Sequence, residues 1–244
     1  KINNKEVQGN KEDTIWKIAK SNGINIPHLC HSDEVGYKPD GNCRACVVQV
    51  KGERTLTASC IRKPVEGMEI TTNCDAAKES QKIIFELLEA DQPDRDRHPD
   101  SDSKFWNWFD KVEAEANTFP KIKNISCDIS HPSMQVNLDA CINCNLCVRA
   151  CREVQSNDVI GMANRGYNSK VIFDFDDEMG NSTCVGCGEC VQACPTGALM
   201  EKSLLNDNGV RETFPDKTVD SLCPYCGVGC QTKVFVKDNK IVQV

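Results

Sequence analysis

Of the seventeen cysteines in this 244-residue chain, fifteen fall into four groups by spacing. Two runs, "CINCNLCVRAC" at 141–151 and "CVGCGECVQAC" at 184–194, share the pattern C-x2-C-x2-C-x3-C. Thiolates bind soft metals and iron–sulfur clusters, so metal chemistry is the first to weigh. Four cysteines within eleven residues are not expected to surround one centre, because so short a loop does not wrap around it. The two-cluster ferredoxin solution takes three ligands from one run and the fourth from the other. On that reading Cys141, Cys144, Cys147 and Cys194 hold one [4Fe–4S] cluster, and Cys184, Cys187, Cys190 and Cys151 a second. Pro195 follows Cys194 as such a run expects, whereas Arg152 follows Cys151. Structural zinc is satisfied by two-cysteine knuckles and would leave one cysteine per knuckle idle, so iron–sulfur is the preferred reading.

Nearer the N-terminus stand Cys30, Cys43, Cys46 and Cys60, a central C-x2-C with one cysteine well before and one well after. That set suits a [2Fe–2S] cluster, with a longer first gap than the plant-type C-x4-C-x2-C spacing. Gly41, two residues before Cys43, is placed to let backbone amides approach the cluster sulfurs. His28 and His31 flank Cys30 and raise a Rieske alternative. Four cysteines already complete the set, and both histidines are read as loop residues. "CPYCGVGC" at 223–230 supplies only Cys223, Cys226 and Cys230, one short of a cluster's usual four. Cys74 and Cys127 stand alone and are read as buried or idle thiols. His98 and His131 lie in a charged middle segment and are expected to be solvated.

The elements that must position these groups follow from periodicity. In "EDTIWKIAKSNGI", Asp13 or Thr14 is a candidate N-cap, Ile15, Ile18 and Ala19 share a helical face, and Gly23 marks the end. "CVVQVKGERTLTASC" reads as two strands around Lys51-Gly52, and "GMEITT" as a closing strand. Residues 1–74 therefore form a compact α+β module. A helix from about Asp75 to Ala90 is expected to carry Ile83, Ile84, Leu87 and Leu88 on one apolar face. Residues 75–136 then read as helix and linker without a cluster; "DQPDRDRHPDSDS" is aperiodic, and "KFWNWFDKVEAEA" is a short helix serving as a packing anchor. The repeat occupies 137–205, and 206–244 ends in a hairpin turning at Asp238-Asn239.

Composition narrows the class. Lys and Arg number 29 against 36 Asp and Glu, a net charge of −7, which argues against nucleic-acid binding. No apolar run approaches the roughly 18 residues of a membrane span. An odd cysteine count leaves at least one thiol outside any closed disulfide set. The opening residues "KINNKEVQGN" carry no signal-peptide core, so cysteine this dense is expected to bind metal in a reducing compartment, the cytoplasm.

Taken in order, "IPHLCH", "PDGNCRAC", "VNLDACINCNLCVRACREVQ", "STCVGCGECVQACPTGALM" and "CPYCGVGC" resemble the N-terminal region of cytosolic NAD-dependent formate dehydrogenase alpha subunits. The resemblance implies an α+β architecture: a β-grasp [2Fe–2S] domain, a helical linker, a two-[4Fe–4S] bacterial ferredoxin-like domain, and the start of a molybdenum or tungsten bis-pterin guanine dinucleotide domain. It further implies that Cys223, Cys226 and Cys230 give three ligands to another [4Fe–4S] cluster, the fourth lying beyond Val244. Without that ligand they are expected to be metal-free or to hold a labile cluster. No catalytic residue is expected within this stretch. The implied partners are an FMN/NAD-binding beta subunit (a diaphorase) and the rest of the alpha chain. Many relatives carry H-x3-C-x2-C-x5-C between the cluster regions; here only His98 and Cys127 stand there. The expected role is an electron-transfer arm between formate oxidation and NAD. The alternatives are a free-standing iron–sulfur diaphorase subunit of a soluble hydrogenase or complex I-like enzyme, and a zinc scaffold.

Overall fold

The computed structural model describes residues 1–121 and 127–244; residues 122–126 of the expected linker lie outside the described residues. In the N-terminal module, helix α1 (Ile15–Ser21) starts at Thr14, whose hydroxyl accepts from the Lys17 amide at 3.3 Å. Gly23, at φ +73°, turns the chain out of the helix. Strand β1 (Val47–Val50) lies between β2 (Thr57–Ala58) and β3 (Ile70–Thr71), antiparallel to both, and Ile2 bridges Ile70 in parallel. Ile15, Trp16, Ile18 and Ala19 of α1 pack across this sheet on Val48, Val50, Ala58 and Ile70. The arrangement is that of a helix grasped by a small mixed sheet.

Helix α2 (Asp75–Glu89) forms, but its buried face differs from the one expected. Ile83 and Leu87 are 42% and 49% exposed, whereas Ala77, Gln81 and Phe85 face inward and only Ile84 and Leu88 pack beside them. Two polar anchors set this rotation. Gln81 donates to the Val47 carbonyl at 2.9 Å, and the buried Glu86 and Glu89 carboxylates accept the amides of Glu115 and Asn117. A buried polar group with its partners made outweighs one more exposed aliphatic.

In the stretch that reads as linker, the described residues make packed contacts. Arg95 pairs with Asp110 at 2.8 Å and lies over the Trp106 ring at 4.9 Å. Helix α3 (Lys104–Lys111) buries Phe105, Trp106 and Phe109 in one cluster with Leu29, Ala45 and Phe85. The two histidines expected in solvent are buried: His98 is 0% exposed and His131 6%. The His98 Nδ1 accepts from the Asp100 amide at 3.1 Å while Nε2 faces the Gln92 side-chain oxygen at 3.0 Å, and the His131 Nδ1 accepts from the Ser133 and Met134 amides at 3.2 Å. Each imidazole supplies the acceptor that a turn lacks, and this satisfied pairing lets it be buried.

The repeat folds as two related halves. Strand β4 (Met134–Val136) pairs antiparallel with β7 (Leu199–Glu201), and β5 (Ile160–Ala163) with β6 (Lys170–Phe173). Helices α4 (Leu146–Arg149) and α5 (Glu189–Ala193) begin at equivalent places in the two runs. In run one, Asn143 and Asn145 have φ of 52° and 63°; in run two, Gly186 and Gly188 have 69° and 79°. These left-handed residues curl each cysteine loop, and Asn and Gly are the types that tolerate them. Run two ends its helix before Pro195, while run one, with Arg152 there, continues into a π-helical turn at Ala150–Val154.

The last segment is a sheet of β8 (Lys217–Leu222), β9 (Gln231–Lys237) and β10 (Lys240–Gln243), with β9 central. Asp238 and Asn239, at φ of 48° and 60°, make the two-residue hairpin turn expected of them. Among the described residues no helix is long and apolar enough to cross a membrane.

Candidate iron–sulfur centres

The four N-terminal cysteines come together at the end of the grasped sheet. Cys30, Cys46 and Cys60 are buried and Cys43 half-buried. The Cys30 amide donates to the Cys43 sulfur at 3.4 Å and the Cys43 amide to the Cys30 sulfur at 3.3 Å. Hydrogen bonds from Cys43 and Cys60 hold the Cys30 thiol well below the usual range, and those from Cys60 bring Cys46 down to about 7. Gly41, at φ +65°, makes the turn that delivers the Cys43 amide; a Cβ there would meet Ile61 at 2.9 Å.

In the ferredoxin-like module, one cavity is lined by Cys141, Cys144, Cys147 and Cys194, and a second by Cys151, Cys184, Cys187 and Cys190. Each cavity thus draws three sulfurs from one run and one from the other. Equivalent amides approach equivalent sulfurs, Asn143 to Cys141 and Gly186 to Cys184, both at 3.4 Å. The Val159 amide reaches the Cys151 sulfur at 3.3 Å. Burial pushes the thiols of Cys144 and Cys147 up, and that of Cys190 up to about 12. Such thiols ionise only when a metal replaces their protons. Among the described residues, no three Cys, His, Asp or Glu side chains are arranged to hold a single metal ion. Sulfurs at the rim of a cavity, met by backbone amides, fit a cluster that fills the space between them.

The other candidates are placed differently. Cys223, Cys226 and Cys230 lie on the loop between β8 and β9, closed by the Cys223 amide on the Cys230 carbonyl at 2.9 Å; Cys226 and Cys230 are exposed. Cys74 precedes α2 without a side-chain capping bond, and the Cys127 thiol donates to the Val136 carbonyl at 3.3 Å. His28 and His31 sit against Trp16, ring centroids 4.4 and 4.6 Å away, and burial lowers His28 to about 3. Neither ring nitrogen of His31 has a hydrogen-bond partner among the described residues.

Motif reading overlooked the residues that join the modules. The loop between Cys30 and Cys43 runs against both cysteine runs. Tyr37 donates to Glu189 at 2.9 Å and the Asn42 amide group to the Asn143 carbonyl at 2.9 Å. Cys30, Cys144 and Leu146 share one apolar cluster. Lys104 of α3 reaches the His31 carbonyl at 3.3 Å, and burial lowers its amine to about 8. Arg149 lies in the same junction. The signal available in the sequence was the repeat itself, which has Arg149 in one run and Gln192 at the matching position of the other.

Residues 1–75 match the family model of the 2Fe-2S iron-sulfur cluster binding domain, 140–198 that of the 4Fe-4S dicluster domain, and 216–244 that of the molybdopterin oxidoreductase Fe4S4 domain. The chain is similar to three iron–sulfur domain families in series. The three matches follow one another along the chain in that order. The chain is 30% identical to an NADH-quinone oxidoreductase subunit of Rhizobium meliloti, over 95% of this chain and 27% of that protein. It is 25% identical to a putative formate dehydrogenase of Staphylococcus haemolyticus, over 95% of this chain and 27% of that protein. The chain therefore spans little more than a quarter of these curated relatives. In fold it resembles a crystal structure of an NAD+-reducing [NiFe]-hydrogenase in the H2-reduced state, with TM-score 0.76, 24% identity and coverage of 83% of this chain and 86% of that one.

Proposed function

We propose that this chain is the electron-transfer arm of an NAD-dependent formate dehydrogenase alpha subunit. Three ligand sets support it: Cys30/Cys43/Cys46/Cys60 for a [2Fe–2S] cluster, Cys141/Cys144/Cys147/Cys194 for one [4Fe–4S], and Cys184/Cys187/Cys190/Cys151 for another. The observation that carries the reading is the pair of cavities, each rimmed by three cysteines of one run and one of the other. Bound clusters supply reversible one-electron oxidation and reduction. The chain supplies ligands, apolar walls such as Leu138, Val171 and Leu199 that exclude water, and amide donors that stabilise thiolate charge. Cys223, Cys226 and Cys230 would give three ligands to a further [4Fe–4S], within the match to the molybdopterin oxidoreductase Fe4S4 domain. Module boundaries at 74, 136 and 205 follow the same reading. In the parent protein the molybdenum or tungsten bis-pterin site, an FMN/NAD-binding beta subunit and a cytoplasmic location complete the proposal.

A second reading, an iron–sulfur subunit of a soluble hydrogenase or complex I-like enzyme, is supported by the 30% identity to the NADH-quinone relative. The match over 216–244 to the molybdopterin oxidoreductase Fe4S4 domain supports the first. Iron and acid-labile sulfide per chain after anaerobic preparation test both: about ten irons are expected from the three complete sets. Stoichiometric zinc with little sulfide would sink them. An encoding gene that reads on into a pterin-binding domain would separate the first from the second.

A further inference from the structure

Beside the Lys104 amine, a buried guanidinium lies between the [2Fe–2S] cysteines and the first ferredoxin set. Arg149 is 7% exposed, and its guanidinium donates to the Cys30 carbonyl at 2.6 Å, the Cys144 carbonyl at 3.5 Å, the Asn145 carbonyl at 3.3 Å and the Lys38 carbonyl. Cys30 and Cys144 belong to different ligand sets, and Lys38 to the loop that docks the two modules. Among the described residues no carboxylate forms an ion pair with Arg149. A buried guanidinium without a counter-ion is costly, and carbonyl dipoles offset only part of that cost. Thiolate-ligated iron–sulfur centres on both sides would supply the missing negative charge. The repeat provides an internal comparison: in run two the matching residue is Gln192, neutral and exposed.

We infer that Arg149 is the positioning residue of the step between the [2Fe–2S] centre and the Cys141/Cys144/Cys147/Cys194 centre. It ties both ligand loops to one planar group and holds one positive charge against both, favouring their reduced forms. This inference rests on the iron–sulfur reading above.

The test uses the full chain, prepared anaerobically, with EPR-monitored redox titration of wild type, Arg149→Gln and Arg149→Lys. In Arg149→Gln the midpoints of the [2Fe–2S] and first [4Fe–4S] signals should both shift negative, while that of the Cys184/Cys187/Cys190/Cys151 centre stays in place. Arg149→Lys keeps the charge but not the four-way bridge, so its midpoints should stay near wild type while spin–spin broadening between the two signals weakens. Unchanged midpoints in Arg149→Gln would overturn the inference, as would an equal shift of all three centres. Should Arg149→Gln fail to retain clusters, Arg149→Lys decides alone: broadening as in wild type overturns the bridge. A wild-type chain without these signals would instead refute the iron–sulfur reading itself, which keeps the two failures distinct.

Discussion

Cys194→Ser separates the crossed arrangement from a simple one-run, one-cluster arrangement. Cys194 lines the cavity of Cys141, Cys144 and Cys147, not that of its own run. Losing it removes one thiolate of four from the first centre and none from the second. The three partners left behind include Cys144 and Cys147, whose thiols burial already pushes up, so the weakened centre has little reason to persist. Iron should fall from about ten per chain to as few as about six, on [4Fe–4S] nuclearity. The decisive readout is spectral identity. The EPR spectrum of reduced Cys194→Ser should match that of Cys147→Ser, and the spectrum of Cys151→Ser should match that of Cys187→Ser. If Cys194→Ser instead matched Cys187→Ser, each run would hold its own cluster and the geometric argument from the cavities would be wrong.

Three further outcomes follow from packing and charge. His98, which burial lowers to about 4, stays neutral in the folded chain while the unfolded chain takes up a proton below about pH 6.5. Stability from this group is complete above pH 6.5 and declines by about 3 kcal/mol as the pH falls to about 4. Asp100, raised by burial, works in the opposite direction, so urea titrations of wild type and His98→Gln at both ends of that window should be compared. An equal pH dependence in both proteins would refute the assignment. Phe105→Ala empties a 0% exposed site among Leu29, Ala45 and Phe85, and should cost about 3–5 kcal/mol in equilibrium unfolding. Because Leu29 and Ala45 adjoin Cys30, Cys43 and Cys46, it should also loosen the [2Fe–2S] centre, read as faster bleaching on chelator challenge. Gly41→Ala, at φ +65° and 2.9 Å from Ile61, should lower stability by about 1–3 kcal/mol. A thermal midpoint equal to wild type would show that the turn relaxes freely.

How far the sequence could be read depended on the kind of signal each feature left. That the two cysteine runs would meet around shared cavities was readable because the same residue type recurs at the same spacing in both runs. Helix α1 was readable because Thr14, the apolar spacing and Gly23 agree. The face of α2 was not, since it is set by Gln81 reaching the Val47 carbonyl and by carboxylates receiving amides from residues about thirty positions away. Such partners leave no periodicity. His98 and His131 were misplaced for the same reason: charged neighbours suggest solvent, but burial followed from turn amides that only the fold brings to the ring.

The long first gap of the N-terminal set shows how a departure from a motif can hold a second function. Plant-type spacing places four residues between the first two ligands; here Cys30 and Cys43 are separated by His31–Asn42. A cluster alone does not need the extra length. The structure spends it on contact: Gly36 lies against Val154, where a Cβ would sit 3.3 Å from its methyl, Tyr37 reaches Glu189, the Lys38 carbonyl receives Arg149, and Asn42 reaches the Asn143 carbonyl. The loop therefore carries two proposed ligands at its ends and a docking surface in its middle. Since Cys30 and Cys43 flank that surface, any movement of the repeat module is felt at two of the cysteines proposed to hold the [2Fe–2S] cluster. Rigid docking of this kind is what a pair of electron carriers requires, because transfer depends on a separation that must not drift.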